Sequence, residues 1–230
     1  MTEKEVLEEL ESLGTAQNRK IYKRHGADET VYGVSFANLR KMHKRIKVDH
    51  ALALKLWATG QLEARLIASM IADPKLTDEP LLDAWAEDLN SGMVAGEFVE
   101  LVSKTPFARA KMEEWCDSEG EWTGRAGWQL LAHLAMKDEE LSDEYFENYL
   151  QIIGEEIHLR KNMVRDAMNS TLIAIGIRNS NLEKLALAVA AKIGKVDVDH
   201  GETSCKTPDA AEYIRKTLNR RQQKRKKSAA

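Results

Sequence analysis

Three arginines recur at one register of an apolar helix, in Leu62-Glu-Ala-Arg65, Trp122-Thr-Gly-Arg125 and Asn162-Met-Val-Arg165. Continued at about 3.6 residues per turn, each stripe also carries Ser69 and Asp73, Gln129 and His133, or Asp166 and Asn169. A guanidinium stays charged at every relevant pH and donates two parallel hydrogen bonds, so a row of them suits phosphate. Asn162 and Asn169 would add neutral positioning contacts. Because the opposite helix faces are almost wholly apolar, the stripes are expected to line a wet groove. The competing reading pairs Arg65 and Arg125 with Asp73, Glu97 or Glu100 inside the fold.

Glu97 is the one candidate acid or base. It follows Met93-Val-Ala-Gly96, whose short side chains leave it room. A carboxylate beside a groove arginine can stabilise a developing cation or orient a water molecule. A purely structural Arg125–Glu97 pair is the alternative. His133 lies where its helix is apolar all round and reads as a hydrogen-bonded core histidine. His200 and Cys205 share a polar loop with Asp197, Asp199 and Glu202, which is half a metal site at most. Cys116 and Cys205 have no CxxC spacing, so neither a disulfide scaffold nor a zinc site is expected.

The elements that must position these residues are helices. Thr2-x-x-Glu5 and Ser180-x-x-Glu183 read as capping boxes, and Thr105-Pro106 and Thr207-Pro208 place a cap before a first-turn proline. The pattern predicts helices over 2–13, 15–25, 35–47, 49–58, 61–73, 77–89, 92–104, 106–117, 122–137, 141–153, 160–177, 181–193 and 208–222, with no strand. Those at 61–73, 92–104, 122–137 and 160–177 carry the narrow polar stripe, and those at 77–89, 106–117 and 141–153 are acidic and half apolar. Inner helices recurring every 30 to 40 residues or so fit two-helix repeats of the HEAT kind, in an all-α solenoid. Residues 1–215 are expected to form one domain and 216–230 a basic tail, disordered at its end. Ile193–Lys206 is the long irregular segment.

Net charge is only −3, but its sign is segregated. Arg19–Lys47 holds nine basic residues against Asp28 and Glu29, whereas Lys75–Ile157 holds six against twenty acidic ones. Arg215–Lys227 has eight basic residues and no acidic one. A polyanion could use the basic parts while the acidic middle faces solvent; a merely solubilising tail is the other reading. No apolar run approaches the 18 or so residues of a membrane span, and the charged N-terminus lacks a signal-peptide core, so a cytoplasmic protein is expected. A monomer is the default expectation, which no sequence feature decides.

Tyr32-Gly33-Val34-Ser35 followed by Leu39-Arg40-Lys41, then Leu56-Trp57, Glu63-Ala-Arg65 and Trp122-Thr-Gly-Arg125, resemble in order and spacing the DNA alkylation repair family. These are the AlkD-like HEAT-repeat DNA glycosylases, and the resemblance covers about residues 20 to 195. It implies a superhelical solenoid that holds duplex DNA in its concave face and excises cationic N3- and N7-alkylated purines without metal or cofactor. The family acts without flipping the lesion, unlike most glycosylases. Its phosphate-holding arginine falls on Arg125, preceded by the matching Trp122. Its aspartate falls on Glu97, one of its two DNA-contacting tryptophans on Met93 and the other on Ser170. Without both indoles the contacts that recognise a cationic lesion are lost, and the extra methylene of Glu97 shifts the carboxylate.

The register and the resemblance together point to double-stranded DNA held by Arg65, Arg125, Arg165, Lys41, Lys44 and Lys161, with Trp122, Asn162 and Asn169 beside them. Glu97 is the catalytic carboxylate if excision is retained. The alternative is a non-catalytic solenoid that binds a protein or a branched or unusual DNA.

Overall fold

Thirteen α-helices and a single 3-10 turn account for most of the chain in a computed structural model that describes residues 1–27 and 30–228, the side chains of 225–228 excepted. Asp28 and Glu29, counted above within the basic stretch, lie outside the described residues, as do the last two residues of the expected tail. The helices are α1 (Glu3–Leu13), α2 (Ala16–Arg24), α3 (Phe36–Ile46), α4 (His50–Ala58), α5 (Leu62–Ile71), α6 (Glu79–Glu87) and α7 (Gly92–Val102). They continue with α8 (Ala108–Cys116), α9 (Glu121–Lys137), α10 (Asp143–Glu156), α11 (Asn162–Gly176), α12 (Ser180–Ile193) and α13 (Ala210–Ser228). No strand occurs among the described residues, and no helix there is long and apolar enough to cross a membrane.

Side-chain caps set most of the starts. Thr2 and Glu5 close the expected capping box on α1. Ser35 accepts from the Asn38 amide at the start of α3, and Asp78 from Leu81 at the start of α6. Three of the expected caps differ. Thr105-Pro106 does not open α8, which begins at Ala108, although the Thr105 hydroxyl accepts from the Phe107 amide at 3.3 Å. Asn179, not Ser180, caps α12, because its side-chain oxygen accepts from the amides of both Asn181 and Leu182. The expected cap at Thr207 gives way to Asp209, whose carboxylate accepts from Glu212 at 2.8 Å, so α13 begins at Ala210. Helix α13 also runs on to Ser228, past the end expected at 222.

The residues group into two compact units: Met1–Ala110 with His200–Ser204, and Lys111–Asp199 with the chain from Cys205 onward. In the first, α5 is central and packs on α1, α3, α4 and α7. Leu39, Met42, Leu56, Leu66, Ile67 and Phe98 form its core, and Trp57 stacks on Trp85 with ring centroids 4.0 Å apart. In the second, α11 is central among α9, α10, α12 and α13, and every residue from Thr171 to Ile177 is buried. Such depth leaves few positions for polar residues, and the polar ones present are there because something satisfies them.

Close approach between α8 and α9 depends on a missing side chain. A Cβ added at Gly127 would lie 2.5 Å from the Cys116 nitrogen and the Trp115 carbonyl carbon, both backbone atoms that cannot swing aside. A Cβ at Gly96, in the middle of α7, would meet nothing within 4 Å. Gly127→Ala is therefore expected to destabilise the protein by about 1–3 kcal/mol, and Gly96→Ala to stabilise it by about 0.5–1 kcal/mol through the unfolded chain. Urea unfolding midpoints check both. A shift of the same sign in the two variants would contradict this packing.

Candidate nucleic-acid interface

Two of the short motifs singled out in the sequence are one structure. Glu63, on the first turn of α5, is fully buried and receives the backbone amides of Tyr32 at 3.2 Å, Gly33 at 2.6 Å and Val34 at 3.2 Å. Gln61 donates to the same carboxylate. The carbonyls of that segment are met from α2 and its cap: Thr15 N–H donates to Gly33, the Arg19 guanidinium to Tyr32, and the Tyr22 hydroxyl to Val34. Burial, with the nearby Glu63 charge, pushes the Tyr22 hydroxyl up to about 12, so it stays a donor. Gly33 has φ +79°, and a Cβ there would lie 2.5 Å from the Thr15 carbonyl oxygen, so only glycine fits. Ser35 follows directly and starts α3.

Helix α3 presents cations to solvent. Arg40, Lys41, Lys44 and Lys47 are exposed, and Arg45 is paired with Glu9 of α1. On α7, Glu97 is half-buried. Burial raises its pKa, the Arg40 and Lys104 charges oppose that rise, and Glu100 adds to it. His43 is held below its ordinary value by burial and then by Lys104. Arg40 and His43 of α3 thus share one neighbourhood with Glu97 and the nearby Lys104. The carboxylate sits among cations of its own unit. Met93, half-buried, stands one turn before it.

Arg65 turns inward. Its guanidinium bridges Asp88, with 3.1 Å to the carboxylate and 2.8 Å to the carbonyl, and lies over the Trp57 ring at 5.1 Å from its centroid. Trp57 itself donates its indole N–H to Asp88 at 2.8 Å. Asp73, the partner expected from the stripe, instead accepts from the Lys75 amide just past α5. Ser69 is buried and donates to the Arg65 carbonyl at 3.0 Å. The α5 stripe is covered by protein, where periodicity had suggested a wet wall.

The second unit repeats this pattern on α9 and α11. Arg125 donates to Asp166 at 2.7 Å, with its side chain 12% exposed. Its partner is Asp166 where the sequence had suggested Glu97 or Glu100. Asn162 grips the Asp199 backbone twice, donating to its carbonyl and accepting from its amide, both at 2.8 Å. Asn169 is buried and donates to the Pro208 carbonyl at 3.0 Å. Both asparagines therefore hold the irregular segment in place. Arg165 reaches Asn162 at 3.4 Å, and Lys161 donates to the Glu119 carbonyl at 2.7 Å. The Nε–H groups of Arg125 and Arg165 and the Gln129 side-chain oxygen are buried without a hydrogen-bond partner. Trp122 is half-buried on the first turn of α9, and the Gly120 cap offers that helix end no side chain. Ser170 is exposed and His133 half-buried. No group of three His, Cys, Asp or Glu able to hold a metal occurs among the described residues.

A family model described as DNA alkylation repair enzyme matches residues 6–214, across both units. The uncharacterized protein Lin0241 of Listeria innocua serovar 6a is 30% identical over 220 residues, covering 92% of this chain and 95% of that protein. Uncharacterized protein Lmo0209 of Listeria monocytogenes serovar 1/2a is 30% identical over 225 residues, with the same shares. A solved structure, described as a new family of proteins related to the HEAT-like repeat DNA glycosylases with affinity for branched DNA structures, superposes with a TM-score of 0.88. It shares 31% identity over 96% of this chain and 95% of that one. The all-helical fold is thus a HEAT-like repeat fold.

Buried Glu63 and half-buried Glu97 should respond oppositely to the same substitution. Glu63→Gln puts an NH₂ where one carboxylate oxygen accepts backbone amides, and is expected to cost about 1–3 kcal/mol in urea unfolding. Glu97 has a folded pKa above its ordinary 4.5. The native state then binds the proton more tightly than the unfolded chain, and stability falls as pH rises between the two values. Glu97→Gln removes that loss, so its midpoint at pH 7 should equal or exceed the wild type's. A lower midpoint would show that attraction to Arg40 and Lys104 outweighs burial.

Proposed function

Because the chain belongs to the DNA alkylation repair family, we propose that it binds DNA, with branched structures as its preferred target and the α3 cations on the phosphates. The carrying observation is the α3 surface: Arg40, Lys41 and Lys44 are exposed on a helix fixed from below by Glu63, in a protein whose net charge is −3. A mildly acidic protein meets a polyanion only where its cations are gathered and uncommitted. Trp122, Arg165 and the start of α9, whose Gly120 cap offers no side chain, make a second phosphate-directed face in their own unit, where a helix N-terminus favours an anion. Arg125, paired with Asp166, and Lys161, bound to Glu119, border it. Asn162 and Asn169 support that face through the irregular segment. Arg65 acts by positioning Trp57 and Asp88. The full-length likeness to a protein with affinity for branched DNA supports the choice of target.

Excision of alkylated purines is the second reading, and one feature favours it. Glu97 is a half-buried carboxylate with a raised pKa beside cations, a combination found at catalytic sites. Against it stand Met93 and Ser170, which offer no aromatic face to a cationic base. Binding without excision is therefore the function the site supports best.

Titration of a labelled four-way junction and a linear duplex of equal length, across a salt series, tests binding. The junction is expected to bind more tightly, with log K falling linearly against log salt. Lys41→Ala/Lys44→Ala should reduce the slope by about 0.9 for each phosphate that is no longer neutralised. No binding to either DNA at low salt would sink the reading. Release of free N7-methylguanine from methylated duplex tests excision: none is expected from the wild type, and release abolished by Glu97→Gln would instead make the protein a glycosylase.

A further inference from the structure

Helix α13 divides cleanly into two faces. Ala210, Ile214, Thr217, Leu218 and Arg221 follow the spacing i, i+4, i+7, i+8, i+11, with Ala210 and Ile214 buried, Thr217 and Leu218 half-buried and Arg221 exposed. Ile214 is fully buried and seats against Gly176, where an added Cβ would lie 2.6 Å from its Cδ1. Arg221 donates to the Ile177 carbonyl at 2.6 Å and so ties the helix to the end of α11. The other face carries Arg215, Lys216, Asn219, Arg220 and Gln223, all exposed and lining one shallow hollow. Asp209 and Glu212 close its N-terminal end. After Arg221 the sequence to Ser228 has no apolar residue, and from Lys216 on, cations recur four residues apart at 216/220, 220/224 and 221/225.

We infer that α13 is a further DNA-binding element, which takes the sugar–phosphate backbone of another duplex arm along Arg215, Lys216 and Arg220. This rests on the DNA-binding reading above. The stripe from Arg215 to Gln223 spans about 12 Å at 1.5 Å per residue, a length over which a duplex presents about seven phosphates. Three cations interleaved with two side-chain amides match such a repeating anion, and carry donors without any sequence-reading requirement. The acidic pair at Asp209 and Glu212 limits the contact to the C-terminal part of the helix. A membrane surface is a poor fit, because an interfacial helix must bury its apolar face in lipid and here that face is occupied by α11 and α12. Like charges one turn apart also repel, and a polyanion laid along the helix relieves that repulsion. Branched DNA has more than one duplex arm, which gives a protein with a cationic surface on each of its two units a use for both.

The experiment uses the full chain and a triple variant, Arg215→Gln/Lys216→Gln/Arg220→Gln, with Lys184→Gln/Lys192→Gln/Lys195→Gln as a control of equal charge change. Circular dichroism confirms that each is folded. For the four-way junction the α13 variant is expected to lower the salt slope by about 2 to 3, with at least a tenfold loss of affinity at low salt, and the control far less. Amide exchange along 215–228 in the wild type should slow when the junction is added. An unchanged slope, an equal effect in the control, or unaltered exchange overturns this inference and leaves DNA binding standing. Absence of binding by the wild type overturns both. Binding of the wild type to vesicles rich in anionic lipid, with the junction slope unaltered in the variant, would make the helix a membrane element instead.

Discussion

The fold around the candidate interface depends on one buried carboxylate. Glu63 stands at the first turn of α5, the central helix of its unit, and takes three consecutive backbone amides from Tyr32, Gly33 and Val34. A buried charge is tolerable only when its lone pairs are filled, and here Gln61 supplies the remaining donor. The same contact satisfies amides that an irregular segment cannot pair with itself. Because Ser35 begins α3 immediately afterwards, the carboxylate fixes where α3 starts and so where Arg40, Lys41 and Lys44 emerge.

The arginines divide the labour differently from their common register. Arg65 and Arg125 are each paired with an aspartate on a neighbouring segment, Asp88 and Asp166, and each has a side chain 12% exposed. Arg178, which no pattern marked, donates to the carbonyls of Ala135 and Leu141 and lies over Phe146. Guanidinium suits all three sites because its planar fork satisfies several acceptors at once. Repetition of a motif along a repeat protein thus reflects first the joints between neighbouring helices. The cations these joints leave exposed include those of α3 and of the outer face of α13.

Much of this was legible in the sequence. Among the described residues, the thirteen helices, the absence of strand and the HEAT-like repeat followed from hydrophobic spacing and capping residues, which act over a few residues and leave their mark locally. Motif order and spacing carried the family. Glu63 was visible only as a neighbour of Arg65, because nothing at short range says which carboxylate will meet amides thirty residues away. A glutamate beginning an otherwise apolar helix, paired with a glycine in an extended segment, is the signal that could have found it. Residue type marks Asn162 and Asn169 as polar contacts, but that their amides meet Asp199 and Pro208 is set by where the irregular segment lies.

By itself the sequence determined the elements, their repeat, the family and the segregation of charge, since each depends on residue type and local period. Tertiary structure alone decided which charges are spent inside the fold. Whether an arginine meets phosphate or an aspartate depends on what lies within about 4 Å of its tip, and that distance is fixed by helix packing and not by the stripe on which the arginine stands.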